Sequence, residues 1–513
     1  MTVSRAVISS TPESDFVLGI DIGTTAVKAL LLDCAKGTYL ASSSDEYPLY
    51  SDHPGWAEAD PMDWIMGVKQ AIARLNAHSN GCVSKVKGIS VCGMIPALVA
   101  ITGDGSPVRR SIQQNDARTM CEITEIENKF DPEDIYKRTG STLNQQHILP
   151  KLLWLKKHEP DVFAKAAMVV GSYDFIRAWL TGNYGIEANW AVESGLYDVA
   201  EKRWIDEYLV AFGLSPNLFP TIGQPWEFAG KVTHKVGSEL NIPTGTPVIF
   251  GSADHVASAL AAGVETEGDL LIKFGGAGDI LFCTEKAVFH RKLYFDLHDI
   301  KDRYLLNGCM ASSGSLVRWL LTLLKTNEGE LWALDKKAEQ IGPGSDGIVV
   351  LPYFLGEKTP IFNPQARGVI FGLMLHHRDE HLFRAVLESV IFGFRHHIEI
   401  LESSGYQIDR VFATNGGARS ELWRQIASDV LQREIIAFPG HPGSALGAAI
   451  VVGRSLGLLS GTSVTSQIKV QAVKHTPNPM NRSRYDNLYH IYRELYERNI
   501  DLFTLIDERS SNG

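Results

Sequence analysis

Two short segments of this chain combine an aspartate with small turn residues in a way that suits phosphate chemistry. In residues 17–33 an apolar run reaches Asp21, a turn of Gly23, Thr24 and Thr25 follows, and a second apolar run begins at once. The pattern predicts a hairpin, and unpaired amides in a Gly-containing turn can hold an anion. Asp21 could reach a metal ion through water, and a phosphate chain needs that metal. A plain hairpin with a satisfied aspartate is the alternative interpretation.

The second segment lies about 230 residues later. In residues 247–263 a buried strand enters a small-residue turn, presents Asp254 and continues as an Ala-rich helix. Asp254 could cap that helix, or its carboxylate could work as a base. Soon afterwards, residues 269–282 predict a strand, the turn Gly275-Gly276-Ala277-Gly278 and a further strand, as at the N-terminus.

A third glycine turn completes the pattern. Residues 410–420 predict a strand that runs into Gly416 and Gly417 at the start of a helix. A tight turn needs glycine in any case, so this signal alone is weak. Two strand–turn–strand phosphate loops and a Gly-Gly helix start together suggest a duplicated α/β fold that closes on a nucleotide between its halves.

Composition limits the classes of function. A chain of 513 residues predicts two domains of about 250 residues each. A net charge of -10, without a basic stripe, argues against nucleic acid as a partner. No apolar run reaches the roughly 18 residues that span a bilayer, and the first fifteen residues lack the apolar core of a signal peptide. The six scattered cysteines suggest buried, reduced thiols, so we expect a cytoplasmic protein without a membrane partner.

Several longer stretches fit one family. They are Gly55 to Trp64, Lys151 to Leu155, Tyr173 to Phe175, Gly356 to Pro360 and, most closely, Gly368 to Leu373 followed by His381-Leu382 and Ala385 to Glu388. With these motifs the chain resembles the FGGY carbohydrate kinases, a branch of the sugar kinase, Hsp70 and actin superfamily, over roughly residues 16 to 490.

The resemblance implies an α/β fold of two duplicated ribonuclease H-like (actin-like ATPase) domains with an interdomain cleft. The N-terminal domain, expected over residues 16–262, would bind the sugar and carry the catalytic aspartate. The C-terminal domain, expected over residues 263–490, would bind the nucleotide.

The same resemblance assigns roles to the residues above. Asp254 would be the catalytic base, and Asp21 with Asp254 would hold Mg²⁺ through water. The nucleotide ATP and its phosphates would lie against Asp21, Gly23, Thr24, Thr25, Gly275, Gly276, Gly278, Gly416, Gly417 and Ser420. Ser420 has a plainer interpretation as a helix cap. The family's Gly-Thr-Ser-Gly turn contains Gly276 and Ala277 here, so backbone amides must replace a missing hydroxyl.

The sugar end departs from the family pattern. By resemblance, sugar contacts fall to Met94, Ile95, Pro96, Gln114, Asp116, Arg118, Asp254 and His255. Relatives that act on xylulose usually carry histidine at the Pro96 position and tryptophan at the Gln114 position, which places xylulose in doubt. His255 replaces the asparagine of many xylulose enzymes and is typical of ribulose-type kinases. Asp116 and Arg118 could instead form a structural ion pair.

Together with these residues, the resemblance implies an ATP- and magnesium-dependent kinase of a small sugar or polyol. A ketopentose such as xylulose or ribulose is the leading candidate substrate. Erythritol, gluconate and autoinducer-2-type compounds are alternative substrates, and plain glycerol is disfavoured. A homodimer is a possible oligomeric state. A non-catalytic ATP-binding sugar sensor of the same fold is the rival. Two structural expectations accompany this: a long helix over residues 379–403 with Asp379 as its N-cap, and close packing of the small residues 442–449.

Overall fold

The computed structural model of the protein describes residues 14–459, 468 and 471–510. Most of the segment on which the signal-peptide expectation rests, residues 1–13, lies outside these described residues. The described chain forms two compact units. Unit 1 contains the residues up to Ala261 together with the segment that begins at Ser444, and unit 2 contains Ala262–Gly443 together with the residues from 471 onward. The sequence predicted one continuous segment for each domain, whereas in the structure the chain returns to unit 1 at Ser444.

Unit 1 contains fifteen strands and eleven α-helices among its described residues. The strands are β1 (Phe16–Ile22), β2 (Ala26–Asp33), β3 (Thr38–Glu46), β4 (Glu58–Ala59), β5 (Val86–Gly93), β6 (Val99–Ile101), β7 (Ser111–Ile112), β8 (Met168–Val170), β9 (Ile186–Glu187), β10 (Tyr197–Asp198), β11 (Arg203–Trp204), β12 (Ile222–Gly223), β13 (Phe228–Lys231), β14 (Pro247–Ile249) and β15 (Ser252–Ala253). The helices are α1 (Pro61–His78), α2 (Met120–Lys129), α3 (Pro132–Thr139), α4 (Ile148–His158), α5 (Pro160–Phe163), α6 (Ser172–Thr181), α7 (Ala188–Val192), α8 (Asp206–Phe212), α9 (His234–Leu240), α10 (Asp254–Ala261) and α15 (Ser444–Ser455).

The main sheet of unit 1 has the order β13-β14-β5-β1-β2-β3, with β15 also paired to β5. Helix α1 packs against β2 and β3, and α15 packs against β1, β5 and α10. Small residues make the second contact possible: a Cβ on Gly19 would lie 2.0 Å from the Ala445 carbonyl oxygen, and one on Gly447 would lie 1.9 Å from that of Ala257. The close packing expected of residues 442–449 is therefore confirmed for this helix.

Unit 2 contains nine strands and five α-helices among its described residues. They are β16 (Asp269–Phe274), β17 (Gly278–Thr284), β18 (Tyr294–Leu297), β19 (Tyr304–Met310), β20 (Val349–Leu351), β21 (Val369–Phe371), β22 (Arg410–Thr414), β23 (Ile435–Ala437) and β24 (Val473–His475), with α11 (Gly314–Leu323), α12 (Leu331–Glu339), α13 (Asp379–Ser403), α14 (Glu421–Leu431) and α16 (Arg482–Ser510). Its main sheet has the order β18-β19-β17-β16-β22-β23-β24.

The two main sheets repeat one topology. In unit 1, β1 pairs antiparallel with β2 and parallel with β5, β5 pairs parallel with β14, and β14 pairs antiparallel with β13. In unit 2, β16, β17, β22, β23 and β24 make the same sequence of antiparallel and parallel pairs. The duplicated α/β fold expected from the glycine turns is confirmed.

Two smaller expectations have different outcomes. The long helix spans Asp379–Ser403 as expected, but Arg378 is its N-cap and Asp379 is its first helical residue, so the predicted cap was wrong. All six cysteines are free, but the expectation that they are buried holds only for Cys34, Cys92 and Cys283, since Cys82 and Cys309 are half-buried and Cys121 is exposed. No helix within the described ranges combines the length and the apolar character needed to cross a bilayer.

Candidate functional site

The predicted site residues of unit 1 follow the ends of neighbouring strands. Asp21 on β1 lies opposite Cys92 on β5, and Cys92 lies opposite Ser252 on β15. These three strands run parallel, so the residues that follow them leave the sheet at the same edge. Asp254 comes directly after β15, and Met94 comes directly after β5. The sheet therefore places the two predicted carboxylates and the predicted sugar loop at one edge.

Asp21 is buried and well supported by hydrogen bonds. Its Oδ2 accepts a 2.7 Å bond from the Ser444 hydroxyl at the start of α15, and the Cys92 thiol lies 3.8 Å from its Oδ1. Tyr47 donates to the carbonyl oxygen of Gly23 in the adjacent turn. Burial and the nearby carboxylates of Asp21 and Asp254 hold the pKa of the Tyr47 phenol well above its usual range. The phenol is therefore a fixed donor that locks the hairpin turn.

The hairpin turn also contacts the predicted sugar side. The Gln114 amide nitrogen donates a 3.2 Å bond to the Thr24 hydroxyl. The other amide atom, Oε1 of Gln114, is buried and has no hydrogen-bond partner among the described residues. An unsatisfied buried acceptor is costly, and a hydroxyl of a bound ligand would satisfy it. Thr25 is exposed, and Lys28 projects from β2 into solvent.

Asp254 is the first residue of α10, and its side chain is 34% exposed. A carboxylate at this position interacts favourably with the positive end of the helix dipole. The Nδ1 atom of His255 lies 3.5 Å from Oδ1 of Asp254, and the imidazole is largely buried. The accessible carboxylate can therefore accept a proton from a hydroxyl.

Asp116 and Arg118 form the structural ion pair that the sequence left open. Two bonds join the Arg118 guanidinium to the Asp116 carboxylate at 2.8 and 2.7 Å, and a third joins it to Glu58 at 2.7 Å. Asp116 also accepts a 2.7 Å bond from the backbone of Ala57. The guanidinium stacks 3.6 Å from the ring centre of Trp56. These residues support the wall of the site, and their contact with sugar stays a prediction.

In unit 2 the glycine turn between β16 and β17 is held by the start of α11. The amides of Ser313 and Ser315 bond to the carbonyl oxygen of Gly276, and that of Gly314 bonds to Gly275. The guanidinium of Arg318, one turn further along α11, lies 3.3 Å from where a Cβ on Gly276 would stand. Arg318 is exposed, and no ion pair engages it within the described part of the chain. It is an available cation beside a predicted phosphate turn.

The two glycines after β22 have different surroundings. A Cβ on Gly417 would lie 2.4 Å from the Trp423 ring and 2.7 Å from Cβ of Phe274, so packing alone requires this glycine. A Cβ on Gly416 would meet open space, which is available to a ligand. Ser420 caps α14 by accepting a 3.1 Å bond from the Trp423 amide. The nucleotide roles of all three stay predictions.

Comparison with known proteins decides the family. The N-terminal domain of the FGGY family of carbohydrate kinases matches residues 16–261, and its C-terminal domain matches residues 283–456. The chain belongs to the FGGY family of carbohydrate kinases. It is a sugar kinase, a phosphotransferase that acts on a hydroxyl group.

Individual FGGY kinases match over almost the whole chain. The xylulose kinase of Bacillus subtilis is 29% identical over 97% of this chain and all of the relative, and the gluconokinase of the same organism is 27% identical over 94% of this chain and 96% of the relative. The solved structure of xylulose kinase from Rhodospirillum rubrum has a TM-score of 0.88 and 40% identity over 95% of this chain and all of that structure. The actin-like ATPase fold expected for this FGGY kinase is confirmed.

The structure adds three residues of the kinase that the sequence did not indicate: Ser444, Tyr47 and Arg318. Each contacts its partner across a long stretch of sequence, and none lies in a glycine turn. A serine at the start of the small-residue helix was a weak signal for Ser444. No sequence signal pointed to Tyr47 or Arg318.

One partly exposed cluster in unit 2 of the kinase has the spacing of metal ligands. Asp346, His376 and His377 each offer a ligand atom within 4.8 Å of the others. However, Nδ1 of His377 accepts a 2.9 Å bond from the Met374 amide, which places the proton of the neutral ring on Nε2. Histidine ligands normally donate through their second nitrogen, so this arrangement does not suit a metal ion.

Proposed function

We propose that the protein is an ATP- and Mg²⁺-dependent kinase of a ketopentose, with xylulose or ribulose as its substrate. The observation that carries the proposal is the match to xylulose kinases over nearly the whole chain, at identities up to 40%. The geometry of unit 1 agrees with it, because an accessible carboxylate, a phosphate-type hairpin and the loop of residues 94–97 follow adjacent strands.

Each candidate residue has a separate role in the proposed reaction. Asp254 accepts the proton of the sugar hydroxyl as that oxygen attacks phosphorus, because its carboxylate is accessible and fixed at a helix start. Gln114 and the loop of residues 94–97 orient the sugar, and the unsatisfied Oε1 of Gln114 accepts from a sugar hydroxyl. In unit 2, Arg318 and the amides of the Gly276 turn bind phosphate oxygens of the nucleotide.

The donor set of unit 1 fits a hydrated magnesium ion. Mg²⁺ prefers oxygen ligands and usually keeps several waters, and Asp21 offers a carboxylate braced by a serine hydroxyl. Asp254 offers a second, partly exposed carboxylate. When bound, Mg²⁺ neutralises charge on the phosphates of ATP, which supplies the transferred phosphoryl group.

An aldonate is the second candidate substrate. A gluconokinase matches the chain almost as fully as the xylulose kinases do. In addition, Pro96 stands where xylulose enzymes usually carry histidine, so one hydrogen-bond partner for a ketose hydroxyl is absent. Xylulose, ribulose and gluconate therefore have to be compared directly.

The test is ADP release with Mg²⁺ and ATP against D-xylulose, D- and L-ribulose, gluconate, erythritol and glycerol. A ketopentose with the highest kcat/KM supports the proposal, and gluconate in that place supports the second candidate. A flat response with tight ATP binding would favour the non-catalytic sensor. The cytoplasmic location and a homodimer are parts of the proposal to be checked by cell fractionation and light scattering.

A further inference from the structure

We propose that Lys151 is a positioning residue for sugar binding: with Ser172 and Trp190 it fixes the loop of residues 94–97, called the sugar loop below. The inference rests on the proposed function, because that function assigns the sugar loop to substrate contact. Lys151 lies on α4, outside the loop, and touches it through one backbone atom. None of the three side chains was indicated as functional by the sequence.

Three carbonyl oxygens of the sugar loop each accept a hydrogen bond from a side chain of a different helix. The carbonyl of Met94 accepts from the Ser172 hydroxyl of α6 at 2.9 Å. The carbonyl of Pro96 accepts from Nζ of Lys151 at 2.8 Å, and that of Ala97 accepts from the indole of Trp190 on α7 at 2.8 Å. The loop backbone is therefore held from three directions.

Lys151 is an unusual donor because its side chain is fully buried. Its second bond, at 2.7 Å, goes to the carbonyl oxygen of Gln146 just before α4. Burial lowers the pKa of the amine to about 7. The negative charges of Asp116 and Glu193 raise this pKa, and the positive charge of Arg118 lowers it. Neighbouring His147 is also buried, and burial lowers its pKa to about 4, so it adds no charge at neutral pH.

A buried amine is costly unless its bonds are made, so it is weak evidence for stability as such. Both a neutral amine and an ammonium can donate to the two carbonyl oxygens present. The bond from Nζ of Lys151 engages the Pro96 carbonyl oxygen inside the protein and fixes that part of the loop backbone. The side chains of residues 94–97 are all apolar. The sugar loop therefore contributes shape to the sugar site, and hydrogen bonds to sugar hydroxyls are left to residues outside it, such as Gln114.

The chain contains a matched control on the same helix. Lys156 also donates to two carbonyl oxygens, those of Phe212 and Gly213, at 2.7 and 2.9 Å, but these lie outside the sugar loop. Lys151→Met and Lys156→Met therefore remove the same number and kind of bonds. Only the first variant releases the sugar loop.

The experiment measures KM for the best sugar, KM for ATP and kcat in the wild type and both variants. We expect Lys151→Met to raise the sugar KM about tenfold, the effect of one lost hydrogen bond of roughly 1.4 kcal/mol, with kcat and the ATP KM changed less than about threefold. Lys156→Met should leave all three constants within about twofold. An unchanged sugar KM in folded Lys151→Met, or an equal rise in both variants, would overturn the inference.

Ser172→Ala provides a second test if Lys151→Met does not fold, because it removes only the hydroxyl that bonds to Met94. The inference expects a smaller rise of the sugar KM, about threefold, and is contradicted if the constant does not move. The wild-type enzyme separates the two levels of the proposal. If no sugar stimulates its ADP release, the proposed function fails; if sugar-dependent turnover is normal and the variants match the wild type, only the role of Lys151 fails.

Discussion

Asp254 is the residue on which the proposed chemistry depends most directly. Replacing its carboxylate with an amide in Asp254→Asn removes the proton acceptor and keeps the size of the side chain. We expect kcat to fall by about 10²- to 10⁴-fold, the usual contribution of a general base. ATP binding, measured by calorimetry, should stay within about threefold of wild type.

The same substitution also alters a helix start, and a matched variant separates that effect. Asp206 opens α8 as Asp254 opens α10, and its side chain is 77% exposed. Asp206→Asn should leave kcat unchanged and lower the melting temperature no more than Asp254→Asn does. Substantial turnover in Asp254→Asn would show that another group accepts the proton.

We expect Arg318 to compensate for the hydroxyl that the Gly276-Ala277 turn lacks. Its guanidinium lies beside the turn, has no described ion-pair partner, and can form a charge-assisted bond worth about 1.5–3 kcal/mol. Arg318→Gln should therefore raise the KM for ATP about tenfold or more in steady-state assays, with the sugar KM unchanged. Arg498→Gln, at an exposed arginine of α16, is the control and should change neither constant. If the two variants behave alike, Arg318 does not bind the nucleotide.

At the scale of elements, the sequence predicts what is local and misses what is distant. The hairpin of β1 and β2 and the helix Asp379–Ser403 were predictable, since strand pattern, turn glycines and helical spacing are encoded within each segment. The bond from Ser444 to Asp21 joins residues 423 positions apart, and no local pattern encodes it. The Asp116–Arg118 pair is local, but the partners that fix it, Glu58 and the Ala57 amide, are about 60 residues away, so the sequence could name it only as an alternative.

Helix α13 contains a buried histidine that should make unit 2 sensitive to acid. His397 is fully buried, and burial lowers its pKa to about 4. Its Nδ1 lies 2.8 Å from the Gly393 carbonyl oxygen, and its Nε2 lies 2.8 Å from the Thr359 hydroxyl. Between pH 6.5 and 4 the unfolded chain binds a proton that the folded chain does not. The contribution of His397 to the free energy of unfolding is therefore fully present above about pH 6.5. It declines as the pH falls toward 4, by up to about 3 kcal/mol.

The measurement is the melting temperature of wild type, His397→Gln and His490→Gln from pH 4 to 7. The decline toward acid should be shallower in His397→Gln than in wild type. It should not vanish, because burial also lowers the pKa of His396 to about 2. His490 is exposed on α16, so His490→Gln should follow the wild-type curve. Parallel curves for all three proteins would contradict the role of His397.

For the whole molecule, the repeated sheet topology explains how one chain can carry two sets of ligand-binding turns. The turn after β1 and the turn after β16 occupy equivalent places, as do the segments that follow β5 and β22. The residues at these equivalent places differ between the two units, however. In unit 1, Asp21 and Thr24 lie at the end of β1 and in the turn after it, and the loop of residues 94–97 follows β5. In unit 2, glycines lie in both segments and Arg318 is near the first. The duplication thus supplies a common frame. In the proposed function, unit 1 binds the sugar and contributes Asp21 and the hairpin to the phosphates, and unit 2 provides the remaining nucleotide contacts.

This division predicts that a substrate can be recognised without turnover, from its effect on melting. A sugar at 100 times its Kd stabilises the folded chain by about 2.7 kcal/mol, which corresponds to roughly 5–10 °C for a unit of this size. We expect D-xylulose or a ribulose to raise the melting temperature of both wild type and Asp254→Asn, since the variant loses the base and keeps the sugar loop. Glycerol at the same concentration is the control and should have little effect. A shift with gluconate and none with the ketopentoses would exclude a ketopentose as the substrate and leave the aldonate.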